Sequence, residues 1–295
     1  MLNIIIGILE QGFIFAIMAL GIYISYKILD FPDLSVDGTF PLGAAVSTAL
    51  ILKGVNPWIC LVVAALSGAL AGCLTGFFHV KLKIKDLLSG ILTMTALYSI
   101  NYRIAGSPNI FMMNEKTIFN LFTVPDSIRP YFPLIIIIVI SLVAKILLDM
   151  YLKTKSGFLL KSAGDNAGLV VTLGENPGKI KIIGLAIGNG LVALAGAVNC
   201  QRVMQFDVSS GVGTLVMGLA AVIIGTSLFA RAKWVKVTTS VVIGMILYKT
   251  CISLAISSGL RASDMNLVIT TLFVITLVAT EYSKRRKPHA QTKKY

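Results

Sequence analysis

The sequence predicts an all-α protein, a polytopic membrane helical bundle of eight or nine hydrophobic segments whose second segment is broken or re-entrant. Three observations predict it. Of the 295 residues, 56% are hydrophobic and only 13% charged, against roughly 25% charged in soluble domains. So much apolar surface cannot be hidden in one core of this size, and disordered chains are poor in it. Apolar runs recur at about 20 residues, the length a helix needs to cross a hydrocarbon layer of roughly 30 Å. Of the 26 Lys and Arg residues, against 13 Asp and Glu, 17 gather in four clusters between or after those runs instead of on one soluble face, which sets nucleic-acid binding aside.

In order, the runs lie at residues 2–26, 40–52, 58–80, 87–103, 132–152, 182–200, 214–229, 235–257 and 265–280. The second is only 13 residues long, contains Pro41 and follows Pro32, Asp33 and Asp37, which suits a broken or re-entrant helix. Basic clusters follow at Lys81, Lys83 and Lys85, at Lys153, Lys155, Lys161, Lys179 and Lys181, at Arg231, Lys233 and Lys236, and in the tail from Lys284 to Lys294. Two runs separate each cluster from the next, so all four share one side, the cytoplasmic one by the positive-inside rule, with a cytoplasmic C-terminus. If 40–52 crosses, the N-terminus is outside and there are nine spans; if it re-enters, the N-terminus is inside and there are eight. The first run has neither a basic leader nor a small-residue cleavage site and reads as a span.

Cys60, Cys73, Cys200 and Cys251 lie singly in apolar runs with no CxxC spacing, so neither a disulfide framework nor a metal site is expected. Ala64, Gly68, Gly72 and Gly76 recur every four residues, and Gly184 and Gly188 repeat the step; such faces let a neighbouring backbone approach closely. Polar residues in or just before the runs are candidates for a translocation pathway: Asp37, Thr93, Thr95, Asn101, Asn189, Asn199 and Glu10, the last either lining that path or sitting near the interface. Lys249, 15 residues beyond Trp234, is expected to snorkel to the outer interface.

The 29-residue segment 153–181 carries the most local structure. Asp165 or Asn166 is an N-cap, Gly174 the residue that ends the helix, and Asn176-Pro177 starts the next. A helix of about eight residues, 166–173, results, too short to be stable alone. Its Leu169, Val170, Val171 and Leu173 are expected to be exposed, as a partner site would be. Gly174, Gly178 and Lys179 mimic a phosphate loop, but three residues separate the glycines and Ile180 follows the lysine; a Walker A motif needs four, then Ser or Thr. No nucleotide or other cofactor site is expected in the chain itself.

Ala163, Gly164, Asn166, Gly174, Asn176, Lys179, Lys181 and the Leu194 to Gly196 run resemble the cytoplasmic-loop signature of ABC-importer permeases of the branched-chain amino-acid and ribose type. Asp33 to Gly38 and Ala220 to Leu228 agree in register. The segments LSVDGTFPLGAAV (34–46) and LLSGILTMTALYSIN (87–101) look closer to a subgroup with lipoprotein partners, associated with uptake of tryptophan or other aromatic amino acids. Lys161-Ser162 stands where many members have Arg-Ala, and Pro177 follows Asn176.

The resemblance implies a permease domain over 1–283 with a basic cytoplasmic tail, 284–295, in a bacterial cytoplasmic membrane. It implies no catalytic activity of the chain's own, ATP being used by a separate ABC ATPase subunit. That partner would be engaged through Ala163, Gly164, Asp165, Asn166, Leu169, Val170, Leu173 and Gly174. It further implies a second permease copy, as a homodimer, and an extracytoplasmic solute-binding lipoprotein. The latter would be received by the loop 107–131 with Phe111, Glu115, Lys116, Asp126 and Arg129, and by a second contact at 201–213. The rival reading is a secondary transporter driven by an ion gradient, which would need acids near mid-membrane; only Glu10 is a candidate. A membrane-embedded enzyme is disfavoured, since the only histidines, His79 and His289, stand outside any hydrolase motif.

Overall fold

The computed structural model describes residues 2–121, 125, 128–229, 234–257 and the single positions 271, 274, 275 and 278. Helix α1 (Leu2–Ile22) runs directly into a π turn, Tyr23–Ile28, where the Leu29 N–H reaches back five residues to the Ile24 carbonyl at 3.0 Å. Asp30 then adopts φ +51, and the chain turns back to begin α2 (Val36–Ile51). Pro41 lies inside α2 and cannot donate to the Asp37 carbonyl four residues back; that carbonyl instead meets Gly211.

Helices α3 (Pro57–Val80), α4 (Asp86–Ala105) and α5 (Phe132–Tyr151) follow, then two short helices, α6 (Lys155–Asp165) and α7 (Ala167–Thr172). The long α8 (Pro177–Val203) and then α9 (Thr214–Leu228) and α10 (Val237–Ser257) complete the described bundle. Among the described residues, five helical stretches are long and apolar enough to cross a membrane: Ile4–Ile28, Pro57–Val80, Phe132–Tyr151, Pro177–Val203 and Val237–Ser257. Helices α2 and α9 are apolar but shorter. The 20-residue α4 is not among the five because hydroxyls and amides interrupt it. The ninth expected run, 265–280, and the tail fall almost wholly outside the described residues.

The core is built around α8, which packs against α1, α2 and α3. It can do so because it is small on several sides. Gly68, Gly72 and Gly76 of α3 lie against Asn189, Leu185 and Ile182 of α8 in turn, so the four-residue glycine step read in the sequence is a helix–helix seam. The descending order makes α3 antiparallel to α8. Ser35 meets Asn189 and Thr48 meets Cys200, so α2 runs parallel to α8, starting half-way along it. Ile28 and Leu29 sit against Gly164 and Gly184, which brings the end of α1 to the α6–α7 end of the bundle. The second segment therefore returns in broken form, irregular from Leu29 to Ser35 and helical thereafter.

Two features depart from the expectation. Outside the bundle, β1 (Asn109–Phe111) pairs antiparallel with β2 (Gln205–Asp207), Ile110 opposite Phe206; extended loop backbone satisfies its own polar groups this way. And the segment 153–181 holds two helices where one was expected. Thr154 accepts from the Gly157 N–H at 3.2 Å and so starts α6.

Candidate functional site

At the α6–α7 end, the Asn166 side chain accepts from Gly168 and Leu169 N–H at 2.9 and 3.4 Å, so Asn166 and not Asp165 is the cap. The helix it starts is six residues long, shorter than the eight expected. Leu173 closes it, and Gly174 takes φ +75, the left-handed stop the sequence indicated. Asn176 repeats the capping on α8, accepting from Gly178 and Lys179 N–H. Leu169, Val171 and Leu173 are 45, 60 and 53% exposed, whereas Val170 is fully buried. That corrects one expectation: a short helix needs an apolar anchor, and Val170 is that anchor. Asp165 is exposed and Ala163 buried. A Cβ on Gly164 would run into the Ile28 carbonyl, so only glycine lets α6 lie directly on the π turn of α1.

From that contact the chain leads into the broken segment. Asp33 is buried and accepts from Ser35 N–H at 2.9 Å and from Asn189 Nδ2 at 2.7 Å; the Ser35 hydroxyl donates to Asn189 Oδ1 at 3.2 Å. One turn on, Asp37 caps α9 from across the bundle. Its carboxylate accepts from the Gly213 N–H, the Thr214 hydroxyl and the Leu215 N–H at 3.1, 2.9 and 2.8 Å. Asn101 Nδ2 donates to the Gly38 carbonyl at 2.9 Å. The N-terminal ends of two short helices thus meet around one carboxylate, whose charge suits both helix dipoles.

The expected pathway residues separate into two groups. Asp37, Asn101 and Asn189 converge on the start of α2, as just described. Thr93 instead receives a hydrogen bond from Thr75 at 3.0 Å, between α3 and α4, and Glu10 pairs with Arg202 Nη2 at 2.8 Å, joining α1 to the far end of α8. Lys249 does not snorkel: its ammonium folds over the Phe15 ring, 3.6 Å from the centroid, a contact that compensates a cation among apolar helices. Thr95, read from the sequence as a further path candidate, lies on the opposite face of α4 from Thr93 and Asn101, beside neighbours the sequence reading passed over. That helix packs on α2 and α3 and leaves Thr95, Ser99, Tyr98 and Tyr102 exposed. Thr95 and Ser99 stand four apart, as do Tyr98 and Tyr102, a helical stripe that was open to reading once Thr93 and Asn101 had been assigned inward.

At the other end, Phe111 and Lys116 are exposed and Glu115 is half-buried. Arg129 is exposed, and Asp126 lies outside the described residues. Gln201, where the second expected contact begins, holds this end together. It accepts from Ile118 N–H at 3.1 Å and donates to the Ser47 hydroxyl and Pro57 carbonyl at 3.1 and 3.2 Å. Through the β1–β2 ladder the two expected docking loops form one surface. The four cysteines are free, two of them buried, and among the described residues no His, Cys, Asp or Glu cluster could hold a metal.

An apolar bundle with two short helices meeting inside it and an exposed capped helix at one end fits the membrane subunit of a transporter. The chain belongs to the family described as the branched-chain amino acid transport system permease component, whose model matches residues 4–280. It is 43% identical to a tyrosine transport system permease protein of Clostridioides difficile, over 94% of this chain and 90% of the relative. It is 26% identical to the ribose import permease protein of Escherichia coli K12, over 79% and 72% of the two. The fold also resembles a solved structure, PsaBC from Streptococcus pneumoniae in complex with Fab, with a TM-score of 0.55 at 14% identity, covering 95% of this chain and 94% of that one.

Proposed function

We propose that this permease carries an aromatic amino acid inward across the cytoplasmic membrane, driven by a separate ATPase that grips α7. The observation that carries the substrate is the 43% identity to a tyrosine permease along almost the whole chain. The geometry supports the mechanism. Leu169, Val171 and Leu173 present an apolar face for a partner, while buried Val170 and the glycine contact at Gly164 tie α7 and α6 to the end of α1. A shift there is passed to the non-helical Asp30–Ser35 stretch and so to the Asp33–Asn189 and Asp37–Thr214 clusters, where helix ends can change partners without unwinding a whole span.

In this reading the α6–α7 end is cytoplasmic. Lys81, Lys83 and Lys85 after α3, Lys153 after α5 and Lys236 before α10 all stand at that end, which supports it. The chain then crosses with α1 from outside to inside and with the broken second segment as a full crossing, in the nine-span arrangement with a cytoplasmic C-terminus. The pathway wall is the uncovered face of α4: the Thr95 hydroxyl is held by the Ile91 carbonyl at 2.9 Å, but Ser99, Tyr98 and Tyr102 on the same side would be poorly placed against lipid, and a second copy of the chain closes the path against them. The joined β1–β2 surface receives a solute-binding lipoprotein.

The test is uptake by proteoliposomes holding the permease, its ATPase and its binding lipoprotein. Tyrosine or another aromatic amino acid accumulates with internal ATP and does not accumulate without it, ribose is not transported, and ionophores leave the rate unchanged. Transport without ATP that collapses with the ion gradient would establish the rival secondary mechanism instead.

A further inference from the structure

At the α6–α7 end a cavity of about 250 Å³ opens between the ends of the spans, and nothing in the transport reading uses it. Its apolar wall is Leu152 and Val237, with Tyr23 of the π turn; its polar wall is Lys153, Lys161, Lys236 and Asp149. Asp149 is already fully engaged. It accepts from the Thr238 hydroxyl at 2.6 Å and pairs with both Lys145 and Lys236 at 3.1 Å. Lys161 has only the Leu152 carbonyl, at 3.4 Å, and Lys153 has no acidic partner among the described residues. Three ammonium groups and one carboxylate therefore line the cavity, a local charge of +2 in a half-enclosed space, which favours an anion with several acceptor oxygens.

The position says which anion. Leu142, Ile146 and Met150 are exposed at four-residue steps along α5 and lead down one helix face to Lys153, just beyond the helix end. An apolar track capped by an ammonium group is the shape of a lipid chain with a phosphate head, and basic pockets between spans at the inner surface bind such heads. We propose that this cavity holds the phosphate of an anionic phospholipid, with Lys153 and Lys161 as its main ligands and Lys236 as a shared one, beside the helix that leads into α7. The site rests on the membrane placement of this end and not on the identity of the solute.

The test uses the full chain, purified in detergent and titrated with phosphatidylglycerol, bound lipid being counted by native mass spectrometry. The variant K153Q/K161Q weakens binding by roughly twenty-five-fold, about fivefold for each ammonium near the bilayer surface. The variant K83Q/K85Q, from another basic cluster at the same end, leaves it unchanged, and phosphatidylcholine binds more weakly than phosphatidylglycerol. Equal binding by K153Q/K161Q and the parent overturns the proposal, as does an equal loss in K83Q/K85Q, which would make the attraction merely general. Inorganic phosphate bound as tightly as the lipid, and lost in the same variant, would assign the cavity to a free ion and overturn the lipid source. No transport is measured, so failure here and failure of the uptake reading are told apart.

Discussion

Asp37 shows how much a single side chain can decide. It accepts from the Gly213 and Leu215 N–H groups at the start of α9, and the Thr214 hydroxyl lies 2.9 Å from both its carboxylate and the Gly211 carbonyl. Asp37→Ala should cost on the order of 3 kcal/mol, since it strips a charged acceptor from two backbone donors at a helix start, while the Thr214 hydroxyl keeps the Gly211 carbonyl. The check is thermal unfolding of the purified chain, with Asp37→Asn intermediate because its amide oxygen keeps part of the cap; an Asp37→Ala protein as stable as the parent would contradict the geometry. Gly164 acts through space. Gly164→Val places two methyl groups against the Ile28 carbonyl, and co-purification of the ATPase should survive while coupled uptake falls at least tenfold, because the α6–α1 contact transmits motion without touching the partner. Asn166→Ala removes a two-bond cap worth about 1 kcal/mol and should loosen α7 itself, lowering both co-purification and uptake.

Among the elements, α4 and α7 differ in how far local sequence reveals them. The ends of α7 were legible because caps and left-handed stops are short-range: Asn166, Gly174 and Asn176-Pro177 each act within three residues. Its companion α6 was not, since the Lys155-Ser156-Gly157 start lacks a strong pattern and the cap is Thr154, a residue among charges. For α4, composition revealed polar positions but not which face would be covered. Thr93 and Asn101 point inward and Thr95 and Ser99 outward, a distinction set by where α2 and α3 lie. In a cysteine-free background, Ser99→Cys should react with a water-soluble thiol reagent in the assembled transporter, and Val143→Cys on the exposed side of α5 should not. Equal silence at both positions would turn the α4 face to lipid.

For the whole molecule, the class of protein was legible from apolar run lengths and the spacing of basic clusters, both of which are statistical properties of the chain. The described members of those clusters do stand at one end of the bundle. Energy coupling also belongs to this scale. If α7 is where an ATPase holds the molecule, vanadate should abolish uptake in proteoliposomes and a protonophore should not, with tyrosine accumulation as the measurement.

The sequence by itself determined that the chain is a helical membrane bundle, where most helices begin and end, and that a capped helix stands between the fifth and sixth runs. Those properties depend on hydrophobic length and on contacts within a few residues. Only the tertiary structure decided that the second segment is helical for just half its return, that Asp37 reaches 177 residues along the chain to Thr214, and that the loops of β1 and β2 form one surface. It also decided that Lys249 lies over Phe15 and that Lys153 and Lys161 share a cavity. Each of these depends on which helix is the neighbour, and a helix carries no local record of what will be packed against it.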